Sequence, residues 1–330
     1  MNLRTTFGID PSPNRITHSD KVMLIGSCFA GSMAEHMAAG KLPVMVNPAG
    51  TLYNPLSVSS TISNITSGRD FTRGDLYFHD GMWLSFSHYT DFSSTDPDKL
   101  LDKINRGQKE AMLFLESASF LFITFGTARI YRLRETGMVV SNCHKVPAGK
   151  FTRELLSQEQ IVKSWNDQLD SLQSHFPDLK IIFTISPVRH LKDGPHGNQV
   201  SKSVLILSLE EILKHPSRPM YFPAYELVMD DLRDYRFYDT DMVHPSQSAI
   251  EYIWEAFAGC FFSSETLNLW NELSSVTKGV KHRFNTENMK GRVVFADRML
   301  KQIDTLEKKF PIVNLSAEKS YFQKLLKGQP

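Results

Sequence analysis

The sequence predicts an α/β protein built on a mostly parallel sheet, with hairpin insertions and a helical C-terminal tail. Short apolar runs of strand length alternate with stretches of helical periodicity, the pattern of a sheet whose crossovers are helices. The first of these runs, residues 22–25, passes almost directly into helical spacing at Ser27. At 330 residues and 41% hydrophobic, the chain also has enough material for a sizeable core.

Strands are expected at residues 22–25, 44–46, 120–124, 180–185 and 220–222. Helices are expected at 27–39, 55–65, 96–115, 153–174, 199–214 and 245–261, because Met33 and Met37 recur with Ala30, Ala34 and Ala38 and later stretches show similar spacing. Asp96-Pro97 pairs an N-cap with proline at the first helical position, and Pro245 opens a helix in the same way. Between residues 77 and 88 the turn Asp80-Gly81 signals a hairpin. A second hairpin is expected where 128–133 meets 138–141 across Glu135-Thr136-Gly137. Residues 297–309 look amphipathic and carry no motif. The chain is therefore divided into a main domain, 1–262, and a helical extension packing on it, 263–330.

With 37 basic and 36 acidic side chains, the net charge of +1 gives no global field to recruit nucleic acid or an anionic membrane. Cys28, Cys143 and Cys260 form no close pair, which argues against a disulfide framework and for a reducing compartment. The N-terminal residues contain no apolar leader segment, and no apolar run reaches about eighteen residues. A soluble, cytoplasmic protein is expected.

The chemistry concentrates at two distant points. Ser27, in Gly26-Ser27-Cys28-Phe29-Ala30, sits at a strand-to-helix junction, where ligands of open α/β folds bind beside helix amides. Alone it would read as a helix cap. Asp241-Met242-Val243-His244 adds an imidazole with a carboxylate placed to orient it, which together with a serine makes a nucleophile, base and acid. Cys28 reads as a small buried hydrophobe rather than a thiol nucleophile. His79-Asp80, His88 and Asp239/Asp241/His244 lack a recognisable metal-ligand spacing, so no metal is expected.

The Gly-Ser-Cys-Phe-Ala string resembles that of the GSCFA family, which belongs with the SGNH (GDSL-like) hydrolases. Similar signature segments follow at Asn47-Pro48-Ala49-Gly50-Thr51-Leu52-Tyr53-Asn54-Pro55, Gly126-Thr127-Ala128, Asn142-Cys143-His144-Lys145, Ser186-Pro187-Val188-Arg189-His190 and Tyr235-Arg236-Phe237-Tyr238, the last leading into Asp241 to His244. The resemblance implies a three-layer α/β/α SGNH-hydrolase-like fold with Ser27 as nucleophile, Asp241 as acid and His244 as base. It further implies an oxyanion hole from the Ser27 amide, the Gly50 amide and an asparagine side chain. Here the sequence departs from the pattern, because Gly126-Thr127-Ala128 places alanine where the asparagine belongs. Asn142 is the preferred replacement, with Thr127 or His144 behind it. Thr127, His144 and, after the 180–185 strand, Arg189 and His190 are candidates for binding substrate, although Arg189 is equally placed to pair with Asp230, Asp231 or Asp234. His79, Trp83 and His88 either wall the pocket or pack within their hairpin.

These expectations converge on a serine esterase. It would cleave an O-acyl ester, such as an acetyl group on a carbohydrate or other polar metabolite, and need no cofactor. The same acyl-enzyme would serve an O-acyltransferase, and loss of the asparagine donor would suit a non-catalytic binding protein on the same scaffold.

Overall fold

The computed structural model describes residues 5–280, 289–311 and 313–327. Residues 1–4 of the segment inspected for a leader, and 281–288, 312 and 328–330 of the expected extension, lie outside the described residues. The chain divides into two units, the first built chiefly from Lys21–Ala34 and Val44–Phe257.

In chain order the first unit contains β1 (Lys21–Gly26), the start of α1 (Cys28–Ala39), β2 (Val44–Val46), α2 (Pro55–Thr66), the small strands β3 (Tyr77–His79), β4 (Met82–Leu84) and β5 (Ser93–Ser94), and α3 (Pro97–Leu115). There follow β6 (Ala118–Phe125), β7 (Arg129–Leu133), β8 (Val139–Val140), β9 (Phe151–Leu155), α4 (Gln158–His175), β10 (Lys180–Ile185) and α5 (Gly194–Ile212). It closes with β11 (Met220–Phe222), the short α6 (Ala224–Glu226) leading into a π turn at Leu227–Leu232, and most of α7 (Gln247–Phe261).

The result is a mixed α/β fold. The central sheet has five strands in the order β11-β10-β6-β1-β2, all paired in parallel. Its strands are apolar on both faces, as a sheet covered on both sides requires. Met23, Ile25, Leu121, Ile123, Phe125, Phe183 and Ile185 pack in one cluster with Val58 and Ile62 of α2, Trp165 and Leu169 of α4, and Leu205 and Leu209 of α5. On the alternate positions, Phe122 and Phe222 meet Phe257 of α7 at ring separations of 5.1 and 5.3 Å. Helices on both faces are consistent with a three-layer α/β/α architecture.

Register fixes the site. Gly26 lies level with Thr124, and Thr124 with Thr184, so β1, β6 and β10 end together. Ser27, Gly126 and Ser186 therefore leave the sheet along one carboxyl edge.

Both expected hairpins form, each enlarged by a further strand. Asp80 and Gly81 adopt φ of 49° and 75°, the left-handed pair that a two-residue turn between twisted strands demands, and β5 joins β4. The second hairpin, β7–β8, is extended by β9 pairing with β7. Here the expected helix from 153 is corrected: Phe151–Leu155 is a strand, and the helix begins after Ser157, whose hydroxyl accepts from Gln160 N while the Gln160 side chain accepts from Ser157 N. That reciprocal cap marks the true start. Two other helices shift at their openings, to Gly194 and Gln247.

The second unit gathers Asp10–Asp20, Glu35–Pro43 and the described residues from Ala258 onward. Its helices α8 (Ser264–Val280), α9 (Met289–Lys309) and α10 (Ser316–Leu326) enclose Leu273, Val276, Ile303, Leu306 and Phe322. The Trp270 indole donates to His36 O at 2.7 Å, and Ile16 bridges to Phe262. Among the described residues no helix is long and apolar enough to cross a membrane.

Candidate active site

Ser27 is placed by what precedes it. Gly26 has φ of 142°, and a Cβ there would lie 2.1 Å from Thr124 O, so only glycine lets β1 run so close to β6 at this point. The Asn47 side chain accepts from Gly26 N at 2.8 Å and ties the end of β2 to the end of β1. Ser27 is fully buried, and its hydroxyl has no hydrogen-bond partner.

Both amides assigned to an oxyanion by resemblance already donate within the chain. Ser27 N donates to Thr124 O at 3.2 Å and Gly50 N to Asn47 O at 2.7 Å. Gly50 has φ of 79°, and a Cβ there would meet Tyr89 Cβ at 2.3 Å, which explains the glycine independently of any oxyanion.

Asp241 and His244 form a self-contained loop. Val243 N and His244 N donate to Asp241 Oδ1 at 2.8 and 3.0 Å, while Asp241 Oδ2 lies 2.6 Å from His244 Nδ1. These contacts, the His244 amide and ring foremost, hold the Asp241 carboxyl down at about 2. Both side chains are half exposed. The structure thus joins Asp241 to His244, whereas no hydrogen bond joins His244 to Ser27. Arg189 is tied to this loop: its amide donates to Val243 O at 3.1 Å, its guanidinium donates to Met242 O at 3.3 Å, and it lies over the Tyr238 ring.

The His190 imidazole also borders the end of β6 beside Ser27. The space that a Cβ on Gly126 would fill is bounded by His190 Nε2 at 3.0 Å, Tyr53 O at 3.1 Å and Ser27 Cβ at 3.5 Å. His190 Nε2 is shielded from solvent and has no hydrogen-bond partner. Burial first, then the charges of Lys202, His244 and Arg153, push this imidazole down to about 3, so it is neutral at ordinary pH. Its amide donates to Asn198 Oδ1 at 2.8 Å, and its ring meets Tyr53 edge-on.

The other candidates separate. Thr127 and Asn142 line a cavity of about 580 Å³ together with Tyr53, Arg189 and His190. Asn142 Oδ1 accepts from His144 N at 2.8 Å. The His144 ring turns away, its Nε2 bonded to the carbonyls of Ser85 and His88 at 2.8 and 3.1 Å. His88 is buried, bonded to Ser85 Oγ and packed between Phe71 and Phe92, so it belongs to the packing of its hairpin.

Sequence reasoning missed Lys202, Arg129 and Arg153. Lys202 is completely buried, and its ammonium donates to Gly126 O at 2.7 Å and Ser186 O at 2.6 Å. Burial pushes it down to about 7. Its spacing with Leu205, Leu209 and Ile212 places it on the buried stripe of α5, a signal that was present in the sequence. Arg129 and Arg153 share a sheet face, since Arg153 pairs with Tyr131, two residues beyond Arg129. Reading 153 as helical hid that alternation.

Fold and site together define an α/β chain with a buried serine, an Asp–His pair and a cavity walled by the β8-β7-β9 sheet and by loops that follow parallel strands. The chain belongs to the GSCFA family, whose family model matches residues 21–257. Among solved structures it is similar to a carbohydrate esterase family 3 protein from Talaromyces cellulolyticus, at 8% identity over 77% of this chain and 99% of that one, with a TM-score of 0.35. It is also similar to the acetyl xylan esterase Est2A from Butyrivibrio proteoclasticus, at 11% identity over 74% of this chain and 64% of that one, with a TM-score of 0.38. Similarity this slight carries no argument about function. No curated protein matches the chain.

Proposed function

We propose that this chain is an SGNH-like serine esterase that cleaves an O-acyl ester of a carbohydrate or similar polar metabolite. The observation that carries the reading is the Asp241 Oδ2 to His244 Nδ1 contact of 2.6 Å. It fixes the ring so that Nε2 is the free nitrogen, as a general base requires. The position of Ser27 at the end of β1, in the family's signature string, supports its role as nucleophile.

In this reading His244 Nε2 takes the Ser27 proton as the oxygen attacks the ester carbonyl. The tetrahedral oxyanion collapses, the alcohol leaves with the proton from His244, and water then hydrolyses the acyl-enzyme by the same relay. The missing asparagine needs a substitute, since losing one oxyanion donor costs about a hundredfold or more in turnover. Neutral His190, with an unpartnered Nε2 beside Ser27, fills that role better than His144, whose Nε2 is already engaged. The Ser27 and Gly50 amides and the Asn142 side chain complete the proposed donor set. Three free cysteines fit the proposed cytoplasmic setting.

A fluorophosphonate probe tests the reading. Stoichiometric labelling that disappears in Ser27→Ala supports it, whereas folded wild-type protein that resists labelling overturns it.

A further inference from the structure

The 580 Å³ cavity beside His190 is sorted by charge. Five of its lining residues, Arg129, Lys145, Arg153, Arg189 and Lys192, are cationic, and none is acidic, although the whole chain carries nearly equal numbers of both signs. The sorting is built into the β8-β7-β9 sheet. Arg129, Tyr131 and Arg153 occupy the cavity face, while Glu154 is paired with Arg132 at 3.2 Å on the alternate positions.

One nearby carboxylate partly compensates this charge. Asp193 Oδ2 pairs with Arg129 Nε at 3.2 Å and also with Arg153, so two guanidiniums share one oxygen. The Arg153 Nε is buried without a hydrogen-bond partner. Lys192 lies over the Tyr131 ring and bonds its hydroxyl, which leaves this ammonium beside the same wall. Gathering like charges in a recess is unfavourable unless an anion enters it. Arginine forks match the planar or tetrahedral oxygens of carboxylate and phosphate, and a cavity of this size suits a monosaccharide or a small oligosaccharide.

We propose that the cavity is an anion subsite, so that the alcohol portion of the substrate is an anionic sugar, its carboxylate or phosphate held by Arg129, Arg153, Lys145 and Lys192. This inference deepens the esterase reading and rests on it for the acyl group alone. Tyr53, Thr127 and His190 line the same cavity, and His190 Nε2 and Ser27 Cβ crowd one spot at Gly126. His190 thus borders both the cavity that would hold the anion and the end of β6 beside Ser27.

Calorimetric titration of the intact protein with glucuronate, glucose 6-phosphate and glucose tests this. At least one of the two anions should bind ten times or more tighter than glucose, weaken as salt is raised, and lose that advantage in the surface double variant Lys145→Glu/Lys192→Glu. The tighter of the two assigns carboxylate or phosphate. Failure of both anions to outcompete glucose, or an anion preference that survives the double charge reversal, overturns the subsite. Hydrolysis of 4-nitrophenyl acetate by the wild-type protein reports the esterase reading separately, because that ester carries no anion. Anion binding without hydrolysis would remove the esterase and leave the subsite standing, and hydrolysis without anion preference would do the reverse.

Discussion

The ammonium of Lys202 donates to the carbonyl of Gly126 at 2.7 Å from a fully buried position. A second bond to Ser186 O makes this one side chain a tie between the ends of β6 and β10, the strands that lead to Thr127 and to His190. Its partners are neutral carbonyls, so burial costs the charged form more than they return.

Stability should therefore depend on pH through Lys202. The folded group is pushed from 10.5 down to about 7. Between those values the unfolded chain holds a proton that the folded chain does not, so stability rises with pH at about 1.4 kcal/mol per unit for this one group. The destabilisation is fully present below about 7 and absent above 10.5. Urea unfolding at several pH values should show this component in wild type and not in Lys202→Met. Equal slopes in the two proteins would refute the assignment.

Acid should act through His88 and His190. Burial pushes both from 6.5 down to about 3. Between these values the unfolded chain binds the extra protons, so the stability contributed by keeping both rings neutral is intact above about 6.5 and declines as pH falls toward 3. The chemical-denaturation midpoint should fall more steeply across this range in wild type than in His190→Gln. A variant that tracks wild type would show that His190 is not among the groups responsible.

Asp241→Asn should leave the fold intact and strike the chemistry. The pair is half exposed, so its packing contribution is small. Its loss frees the His244 ring to adopt the wrong tautomer, and the expected fall in ester turnover is about ten-thousandfold. Melting curves and 4-nitrophenyl acetate hydrolysis measured on the same sample separate the two effects, and near-normal turnover in the variant would remove Asp241 from the mechanism.

Gly26→Ala should be among the most damaging single changes in the first unit. The new methyl would overlap the Thr124 carbonyl in a backbone conformation that alanine rarely adopts, and the expected loss is about 3 kcal/mol or more. Denaturant titration provides the measurement. A change under about 1 kcal/mol would mean that the β1 end relaxes freely, contrary to the rigidity this site implies.

What the sequence disclosed followed from local periodicity and from spacing. Strands such as Lys180–Ile185 were legible because burial on both faces makes them continuously apolar, and the Asp241–His244 contact was legible because three residues of separation leave little freedom. Non-local geometry was hidden. Nothing near Thr127 announces that Lys202 will bond the neighbouring carbonyl from 76 positions away, or that His190 will arrive beside Ser27. Arg153 was obscured for a different reason: Phe151–Leu155 precedes a helix with no loop beyond Leu156 and its cap, and the helical pattern bled backward across the Ser157 boundary.

The make-up of the second unit bears on how the polypeptide can be shortened. Glu35–Pro43 includes the latter part of the very helix that starts next to Ser27, and within that unit Gly40 sits against the Trp270 ring while Ala39 O accepts from Thr277. Deleting everything after residue 262 would strip that helix end of the indole and hydroxyl it leans on. A shorter folded fragment is thus better sought by trimming loops than by amputating the tail.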